Sequence, residues 1–518
     1  MKIVTTEEIR AIDRATSERF GVPSLTLMEN AGIAVAETAM REFPAARSFV
    51  LVCGKGNNGG DGFVAARKLK ESGREVGVIL LAKADDVRGD AAAMLGRMAL
   101  PFVSVDCPED LQRELVPALE KADLIVDAIL GSGFRPPVRG LYAEAIAAIN
   151  SSNAPVVSVD VPSGADSDSF APQAGASIAR SDAIVTFTAL RPAHVFGRLT
   201  KGPTYVAPIG SPDEAIVSGL KLNLITPRDI TGLFAPRDPD GHKGLYGHAL
   251  IFGGSVGKAG AAAMAGIAAL RSGAGLSTVA TPQSALPMVA GFAFELMTEP
   301  LEENEKGTIA ASAMGYGRFD EIVSGKDVIA YGPGISRNHQ TVQFVRLAVR
   351  QTTVPVVIDA DGLNAFDGRA ELLDGSSRPV VLTPHPGEMS RLTRLSTKQI
   401  QANRIEVARN FARDHRLVVV LKGHRTLVAL PDETIWVNPT GNPGMATGGT
   451  GDVLTGIVTG LIAQNLGDIP RAVVAAVYLH GLAGDIAARQ LGEASMIAGD
   501  ILEALPRAFH EIKRRLYD

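Results

Sequence analysis

The chain has 518 residues, of which 46% are hydrophobic and 21% charged, so it can form two or three globular domains with substantial cores. Its 55 glycines and 30 prolines are too small a share for a low-complexity protein. The net charge of −5 argues against a nucleic-acid binder held by phosphate contacts.

The cellular compartment is indicated by the cysteines and by the start of the chain. Cys53 and Cys107 are the only cysteines, which excludes a disulfide framework and a cysteine-based zinc site. The first ten residues carry charges where a signal peptide would be apolar, and no apolar run reaches the length of a bilayer crossing. We expect a cytoplasmic homo-oligomer that acts on small molecules, with neither nucleic acid nor membrane as partner.

The first half of the chain alternates apolar runs with helix-like segments, which predicts a parallel, doubly wound α/β sheet. Thr5 or Thr6 is expected to cap a helix that ends near Phe20, and Ser24 to cap the next one. The predicted strands cover residues 48–53, 76–81, 124–130, 156–160 and 183–187.

A glycine-rich segment, residues 54–62, follows the first of these strands and precedes a helix predicted from Phe63 to Glu71. Strand, glycine-rich turn and helix form the phosphate-binding arrangement of a Rossmann-like unit. The spacing differs from the dinucleotide fingerprint Gly-x-Gly-x-x-Gly. A plain tight turn is the alternative, but two asparagines and an aspartate among the glycines favour a ligand site.

Polar residues also mark the carboxyl ends of two later strands, where ligands of open α/β sheets bind. Asp127 lies inside an apolar strand, and Asp160 ends the next strand, just before Ser163. A buried Asp127 needs a cation or a hydrogen-bond partner. Oxygen donors from Asn58, Asp127 and Ser163 suit a hard, weakly charged cation better than zinc.

The segments 57–62, 127–133 and 160–164 resemble three motifs of the NAD(P)H-hydrate epimerase family. The resemblance implies a Rossmann-like fold that interconverts the R and S epimers of NADHX and NADPHX, the hydrates of NADH and NADPH. It also implies a potassium ion held by Asn58, Asp127 and Ser163. The residues that it places on the substrate are Asn57, Asn58, Gly59, Gly60, Asp61, Gly131, Ser132, Gly133, Phe134, Arg135, Pro136, Pro137 and Asp160.

The implied epimerisation needs no redox step, because the hydroxyl is on a carbon bonded to the ring nitrogen, which can help to open and reclose that centre. Asp160 is the candidate for acid–base assistance. Two downstream segments depart from the family pattern: Arg191-Pro-Ala stands in place of Lys-Pro-Gly, and Ser167-Asp-Ser is unusual. Both follow the three motifs, so we expect them to alter loop details only.

Irregular composition between residues 210 and 235 predicts a domain boundary there. We expect a first domain over 1–215, a linker over 216–235 and a second domain over 236–518. The second domain has a small-residue helix, predicted over 261–272, and its strand ends again collect glycines and polar residues. Its strands are predicted over 277–281, 327–331, 354–359, 379–382, 417–421 and 426–430.

A loop of five glycines and two threonines, residues 441–452, leads into an apolar, helix-compatible run. Asp452 would lie in the first turn of that helix, which suits either a simple helix N-terminal acid or a general base beside a phosphate site. The order Gly-Thr-Gly-Asp resembles the catalytic signature of the ribokinase-like fold, in which the aspartate is the base.

With residues 385–388 and 422–426, this loop resembles the NAD(P)H-hydrate dehydratase family, and the two halves together resemble the bifunctional NAD(P)H-hydrate repair enzymes. The resemblance implies that Asp452 deprotonates the ring hydroxyl, that ADP or ATP phosphorylates it with Mg²⁺ on the phosphates, and that the ring nitrogen expels phosphate. Hydrate contacts would come from Ala259, Gly334, His385 and Asp452. Nucleotide contacts would come from Lys422, Gly423, His424, Arg425, Thr426 and Gly451.

Three alternatives stay open at this point. A ribokinase-fold kinase for a vitamin precursor or sugar would share the Gly-Thr-Gly-Asp order, but it leaves the first half unexplained. A pyridine-nucleotide sensor without turnover would not need the catalytic-type carboxylates Asp160 and Asp452. An NAD-dependent dehydrogenase ranks last, because no Gly-x-Gly-x-x-Gly follows the first strand.

Overall fold

A computed structural model describes residues 1–173, 175, 177–315 and 317–514. The chain divides into two compact units, Met1–Leu222 and Asn223–Asp518. This division falls inside the segment 216–235 that the sequence predicts as a linker. Short regular elements nevertheless lie in that segment, including a strand at Leu222–Leu224 and a helical turn at Pro227–Ile230.

The first unit alternates strands and helices along the chain. Its strands are β1 (Lys2–Ile3), β2 (Ser48–Cys53), β3 (Glu75–Leu80), β4 (Val103–Ser104), β5 (Leu124–Ala128), β6 (Val156–Val159), β7 (Ala183–Phe187) and β8 (Thr204–Ala207). Its helices are α1 (Thr6–Phe20), α2 (Ser24–Glu42), α3 (Asn57–Glu71), α4 (Gly89–Met98), α5 (Pro108–Asp110), α6 (Val116–Glu120), α7 (Leu141–Ser151) and α8 (Pro192–Phe196).

Seven of these strands form a parallel sheet in the order β4-β3-β2-β5-β6-β7-β8. Alternate residues of β2 enter different cores: Phe49 and Leu51 pack with α2, α3 and α4, whereas Val50 and Val52 pack with α7. Both faces of the sheet are therefore covered, which confirms the predicted parallel α/β class.

The second unit is larger and ends in three long helices. The strands from residue 222 onward are β9 (Leu222–Leu224), β10 (His248–Phe252), β11 (Leu276–Pro282), β12 (Met297–Leu301), β13 (Val328–Tyr331), β14 (Val356–Ile358), β15 (Val380–Leu382), β16 (Val418–Leu421), β17 (Leu427–Ala429) and β18 (Ile435–Val437). The helices are α9 (Pro227–Ile230), α10 (Ala259–Arg271), α11 (Leu286–Ala290), α12 (Arg318–Val323), α13 (His339–Gln351), α14 (Ala360–Asn364), α15 (Pro386–Thr393), α16 (Thr397–Ala402), α17 (Arg404–His415), α18 (Thr450–Gln464), α19 (Ile469–Leu491) and α20 (Ala498–Arg514).

The second sheet runs in the order β9-β18-β17-β16-β15-β14-β13-β10-β11-β12. Its strands are parallel from β12 to β16, and β16, β17 and β18 pair antiparallel. The helices α10, α18, α19 and α20 share one core with this sheet. By length and composition the segment Leu466–Leu491 could cross a membrane, but 83% of its apolar window is buried inside the protein.

Two helix starts differ from the sequence predictions and one agrees. Thr5 caps α1 as expected, in a reciprocal capping box with Glu8. Ser24 does not cap α2: it is the first helical residue, and the cap position is Pro23, which forms no side-chain bond. The glycine-rich segment is already helical from Asn57, so its asparagines and Asp61 lie on the first two turns of α3.

Candidate active sites

A cavity of about 640 Å³ opens at the carboxyl ends of β2, β5 and β6 in the first unit. Eight of the predicted substrate residues line it: Asn57, Asn58, Asp61, Gly131, Ser132, Gly133, Phe134 and Asp160. Gly59, Gly60, Arg135, Pro136 and Pro137 lie outside that lining. Arg135 instead bonds Asp168 at 3.1 Å.

Asp160 directly follows β6 and is buried in an ion pair with Arg191. Its Oδ2 accepts the backbone N–H of Ser132 at 2.8 Å, and its Oδ1 accepts the hydroxyl of Thr186 at 3.1 Å. Burial alone would raise the pKa of Asp160, but the Arg191 guanidinium, His194 and the hydrogen bonds from Ser132 together outweigh it and lower the pKa to about 2. Asp160 therefore offers a permanent negative charge, not a proton, at neutral pH.

Two further carboxyl groups face the same cavity, Asp13 from α1 and Asp61 from α3. Burial raises the pKa of Asp13 to about 6, although Arg191 opposes the shift. Burial, together with the charges of Asp160 and Asp13, raises the pKa of Asp61 well above its usual value. The cavity thus combines one permanently ionised carboxylate, Asp160, with two acids, Asp13 and Asp61, whose pKa values lie above that of an aspartate in water.

Of the three predicted cation ligands, Asn58 lines this cavity, whereas Asp127 and Ser163 are fully buried and lie outside its lining. Asp127 is fully buried in β5, and its oxygens accept the backbone N–H of Ser163 at 2.8 Å, the hydroxyl of Ser163 and the hydroxyl of Ser158 at 3.2 Å. These hydrogen bonds are the partners that we expected for Asp127, a carboxylate inside an apolar strand. A Cβ on Gly131 would come within 2.8 Å of the Asn58 Oδ1, so that amide oxygen lies beside the loop after β5.

A second cavity, of about 520 Å³, opens at the carboxyl ends of the parallel strands in the second unit. Three of the four predicted hydrate-contact residues line it: Gly334, His385 and Asp452. Ala259 does not line it, but Lys258, the residue before it, does. Lys258 bonds Asp361 across this cavity at 3.2 Å.

Asp452 lies in the first turn of α18. This helix begins directly after Gly449, whose φ of 91° favours a residue without a side chain. Burial and the charge of Asp359 raise the pKa of Asp452 to about 7, while Lys422 opposes the shift. A carboxyl with a pKa near the operating pH can exchange a proton in both directions. This position fits the general base that the sequence predicted.

Lys422 follows β16 and is held by two buried acids. Its Nζ lies 2.7 Å from the Oδ1 of Asp359 and 3.6 Å from the Oε2 of Glu388. The other oxygen of Asp359 accepts the hydroxyl of Thr455 at 2.6 Å, one turn beyond Asp452 on α18. Burial would lower the pKa of Lys422, but Asp359 and Glu388 raise it, so the ammonium group stays charged.

The rest of the predicted nucleotide-contact set forms the turn between β16 and β17, which includes Gly423, His424, Arg425 and Thr426. Arg404 donates to backbone carbonyls of this turn, including that of His424, and so fixes its shape. A Cβ on Gly451 would lie 3.5 Å from the Lys422 Nζ, so the glycine loop and the lysine meet. Gly423 and His424 are exposed.

His385 caps α15 through its ring. The Nδ1 accepts the backbone N–H of Gly387 at 2.9 Å and that of Glu388 at 3.3 Å, which requires a lone pair on that nitrogen. Burial lowers the pKa of His385, consistent with a neutral ring. The Nε2 then carries the proton and lies 3.3 Å from the Oε1 of Glu388.

Sequence reasoning missed several residues at both sites. Arg191 was noticed only as a departure from a loop pattern, yet it is the counter-charge of Asp160. Asp13 belongs to no motif. Only its place on α1, next to the buried Ile12, distinguishes it from the other charged residues of that helix. Asp359 ends the predicted strand 354–359 and Glu388 ends the segment 385–388, but the sequence assigned neither a role, although both hold Lys422.

Several relatives match nearly the whole chain. The bifunctional NAD(P)H-hydrate repair enzyme Nnr of Moorella thermoacetica is 42% identical over 100% of this chain and 98% of its own length. The enzyme of the same name from Escherichia coli K12 is 32% identical over 97% and 92%. Among solved structures, an ADP/ATP-dependent NAD(P)H-hydrate dehydratase from Bacillus subtilis, co-crystallized with ATP/Mg²⁺, is 31% identical, covers 56% of this chain and 98% of its own, and has a TM-score of 0.47.

One parallel and one mixed sheet, each with a carboxylate-lined cavity at the ends of its parallel strands, define a two-site α/β enzyme with a Rossmann-like and a ribokinase-like unit. The family model for NAD(P)H-hydrate dehydratase matches residues 249–507, and the model for the YjeF-related protein N-terminus matches residues 24–193. The chain belongs to the family of bifunctional NAD(P)H-hydrate repair enzymes.

We predict that Arg191→Met destabilises the first unit by about 3–5 kcal/mol at pH 7, because it leaves the buried Asp160 without its partner. The folded-state pKa of Asp160, about 2, lies below the ordinary value of 3.8. The ion pair therefore stabilises the fold above pH 4 and ceases to do so as the pH falls through 2. Urea unfolding, monitored by hydrogen exchange in β5 to β7, should show a lower free energy of unfolding for Arg191→Met than for the wild type. This difference should shrink as the pH is lowered.

The matched control is Arg113→Met, because Arg113 pairs with Asp110 on the surface with 68% of its side chain exposed. A surface pair contributes about 0–1 kcal/mol, so this variant should unfold almost like the wild type. Equal stability of the two variants would show that the buried pair does not hold the first unit together.

Proposed function

We propose that the chain repairs hydrated NADH and NADPH in two steps. The first domain, over 1–215, interconverts the R and S epimers of NADHX and NADPHX, and the second, over 236–518, dehydrates the S epimer with ADP or ATP. The observation that carries this proposal is the pairing of two cavities with complementary chemistry. One holds a fixed anion beside two acids of raised pKa, and the other holds a base of pKa about 7 beside a buried cation.

In the dehydratase cavity, Asp452 takes the proton of the ring hydroxyl as that oxygen attacks the terminal phosphate of the nucleotide. Hydroxide leaves poorly and phosphate leaves well, so phosphorylation converts the hydroxyl into a group that the ring nitrogen can expel. His385 and Gly334 line the same cavity as Asp452 and would contact the nicotinamide part. Phosphoryl transfer depends chiefly on positioning and charge, which this arrangement supplies.

The nucleotide would lie along the loop 422–426 and the glycine loop, with its phosphates between Lys422 and the start of α18. A helix N-terminus and a lysine are common phosphate ligands. Glu388 and Asp361 line the cavity and offer oxygen atoms, which fits Mg²⁺ held by one or two carboxylates and the phosphates. Bound there, Mg²⁺ would neutralise charge on the phosphates.

In the epimerase cavity, Asp160 would face the positive charge that develops on the ring nitrogen when the hydroxyl leaves. Potassium would be held by Asn58, Asp127 and Ser163. These ligands provide oxygen only, with one formal negative charge, and the backbone carbonyl of Leu130 lies 3.3 Å from the Ser163 hydroxyl. A large monovalent ion accepts such neutral oxygens, so the donor set fits potassium and does not fit zinc.

A small-molecule kinase is the weaker alternative, because it leaves the first cavity without a role. Release of inorganic phosphate, and not a phosphorylated product, would exclude it. A cytoplasmic location is part of the proposal and agrees with Cys53 and Cys107, both free thiols. The homo-oligomeric state expected from the sequence is also kept as a proposal.

We predict that Asp452→Asn lowers the rate of dehydration by about 10²–10⁴-fold, because the amide keeps the shape of the carboxyl but cannot accept the proton. Return of NADH absorbance from S-NADHX measures this rate, and nucleotide binding should persist. The epimers should still interconvert in the variant. Glu503→Gln, an exposed charge loss on α20, is the control and should leave the rate unchanged. A near wild-type rate in Asp452→Asn would refute the assigned base.

The dehydration kcat/KM should rise with pH and reach half its maximum near pH 7. The carboxyl must be deprotonated to act as a base, and burial with the charge of Asp359 raises its pKa to about 7. The residual rate of Asp452→Asn should lack this dependence. A flat profile for the wild type between pH 5 and 8 would contradict the assignment.

We predict that Asp127→Ala abolishes cation binding and epimerisation but spares dehydration. With nucleotide present, S-NADHX should then disappear at the wild-type rate and the R epimer only at its spontaneous rate of epimerisation. Glu120→Ala, an exposed residue of the same unit, serves as the control. A wild-type crystal soaked with thallium or rubidium should show an anomalous peak within bonding reach of Asp127, and its absence would refute the potassium site.

A further inference from the structure

Four carboxyl groups line the first cavity, those of Asp13, Asp61, Asp90 and Asp160, and Asp13 and Asp160 differ in the hydrogen-bond partners that they have. Asp160 is saturated by Arg191, the backbone N–H of Ser132 and the hydroxyl of Thr186. Asp13 has no such set: within the described part of the chain its buried Oδ1 has no hydrogen-bond partner. Buried polar atoms without a partner are rare in folded proteins and call for an explanation.

Other unpartnered polar atoms lie around the same cavity. Among the described residues, the buried Nδ2 of Asn58, the Oγ1 of Thr188 and the Nε of Arg191 also lack partners, and all three residues line the cavity with Asp13. Two nitrogen donors, one hydroxyl and one carboxyl oxygen left open around a single cavity indicate a polar ligand that satisfies them. The only carboxyl oxygen among these four atoms belongs to Asp13.

We propose that Asp13 is a catalytic residue of the epimerase, whose carboxyl group gives a proton to the departing hydroxyl of the hydrate and takes one back from the returning water. This inference rests on the epimerase function proposed above. Asp61 lines the same cavity from the neighbouring helix α3. Asp160 keeps the role of the fixed charge.

The step balances without an oxidant or reductant. The bond between the ring carbon and the hydroxyl oxygen breaks, its electron pair stays on the oxygen, and the Asp13 proton completes a water molecule. The lone pair of the ring nitrogen forms a double bond to that carbon. Water then adds to the opposite face of the carbon, the double-bond pair returns to the nitrogen, and the proton returns to the Asp13 carboxylate.

The charges around Asp13 suit a proton donor. Burial raises the pKa of Asp13 to about 6, with Arg191 opposing and Asp160 reinforcing the shift. The charged groups that line the cavity with it are Arg10, Lys55, Asp61, Asp90, Asp160 and Arg191. His194, which contacts the Asp160 backbone, is neutral because burial and Arg191 lower its pKa to about 4. A carboxyl whose pKa lies near the operating pH can both give up a proton and take one back.

The test uses the full chain without nucleotide and follows interconversion of R- and S-NADPHX by chromatography. Asp13→Asn should lower kcat by about 10²–10⁴-fold and leave KM nearly unchanged, since the amide fills the same space. Glu18→Gln, an exposed charge loss on the same helix, should have no effect. Dehydration of the S epimer by each variant, once nucleotide is added, reports that the second unit is intact.

Two further readouts separate proton transfer from a structural role. In the wild type the rate should depend on a group that titrates near pH 6, and Asp13→Asn should lose that dependence. In Asp13→Ala, added formate should restore part of the rate, because it supplies a carboxyl group to the vacated space. A structural role would give no formate rescue and an unchanged pH profile.

The outcomes distinguish this inference from the proposed function. If the wild type does not interconvert the epimers, the epimerase assignment fails. If the wild type interconverts them and Asp13→Asn does so within about two-fold of its rate, Asp13 is not the proton carrier. Loss of rate in Asp13→Asn together with a changed KM and no formate rescue of Asp13→Ala also overturns the proposal.

Discussion

Each unit places one ionised aspartate directly after a central parallel strand and neutralises it with a buried cation. Asp160 follows β6 and pairs with Arg191, and Asp359 follows β14 and pairs with Lys422. A threonine hydroxyl completes each pair. Because an uncompensated buried charge costs several kcal/mol, these cations fix the loops and helices that carry them. The two cavities take their shape from these anchors.

Burial raises the pKa of the acids next to the fixed anions, and the anions add to that shift. The charge of Asp160 contributes to the raised pKa of Asp13 and of Asp61, and the charge of Asp359 contributes to that of Asp452. An acid next to a permanent negative charge holds its proton longer than it would in water. In both units, therefore, one carboxylate is permanently ionised so that another can exchange a proton near neutral pH.

The sequence predicted local features, such as strands, and missed contacts between residues that are far apart in the chain. Strands such as 48–53 were placed correctly because apolar runs between turn signals need no tertiary information. The start of α3 was missed because glycines weaken a helix. At Gly59 a glycine is needed because the helix passes close to the residue after β2: a Cβ there would lie 1.8 Å from the Gly54 oxygen. Arg191 stands 31 residues after Asp160, and no spacing rule joins them.

The two proposed reactions make opposite demands at one ring carbon. In both, the ring nitrogen expels an oxygen leaving group. The epimerase must first protonate the hydroxyl, which requires an acid, whereas the dehydratase must deprotonate it before phosphorylation, which requires a base. In the first cavity burial raises the pKa of Asp61, and the charges of Asp160 and Asp13 add to the shift, which favours the protonated form. In the second, burial and the charge of Asp359 raise the pKa of Asp452 to about 7, and Lys422 limits the rise, so the ionised form remains accessible near neutral pH.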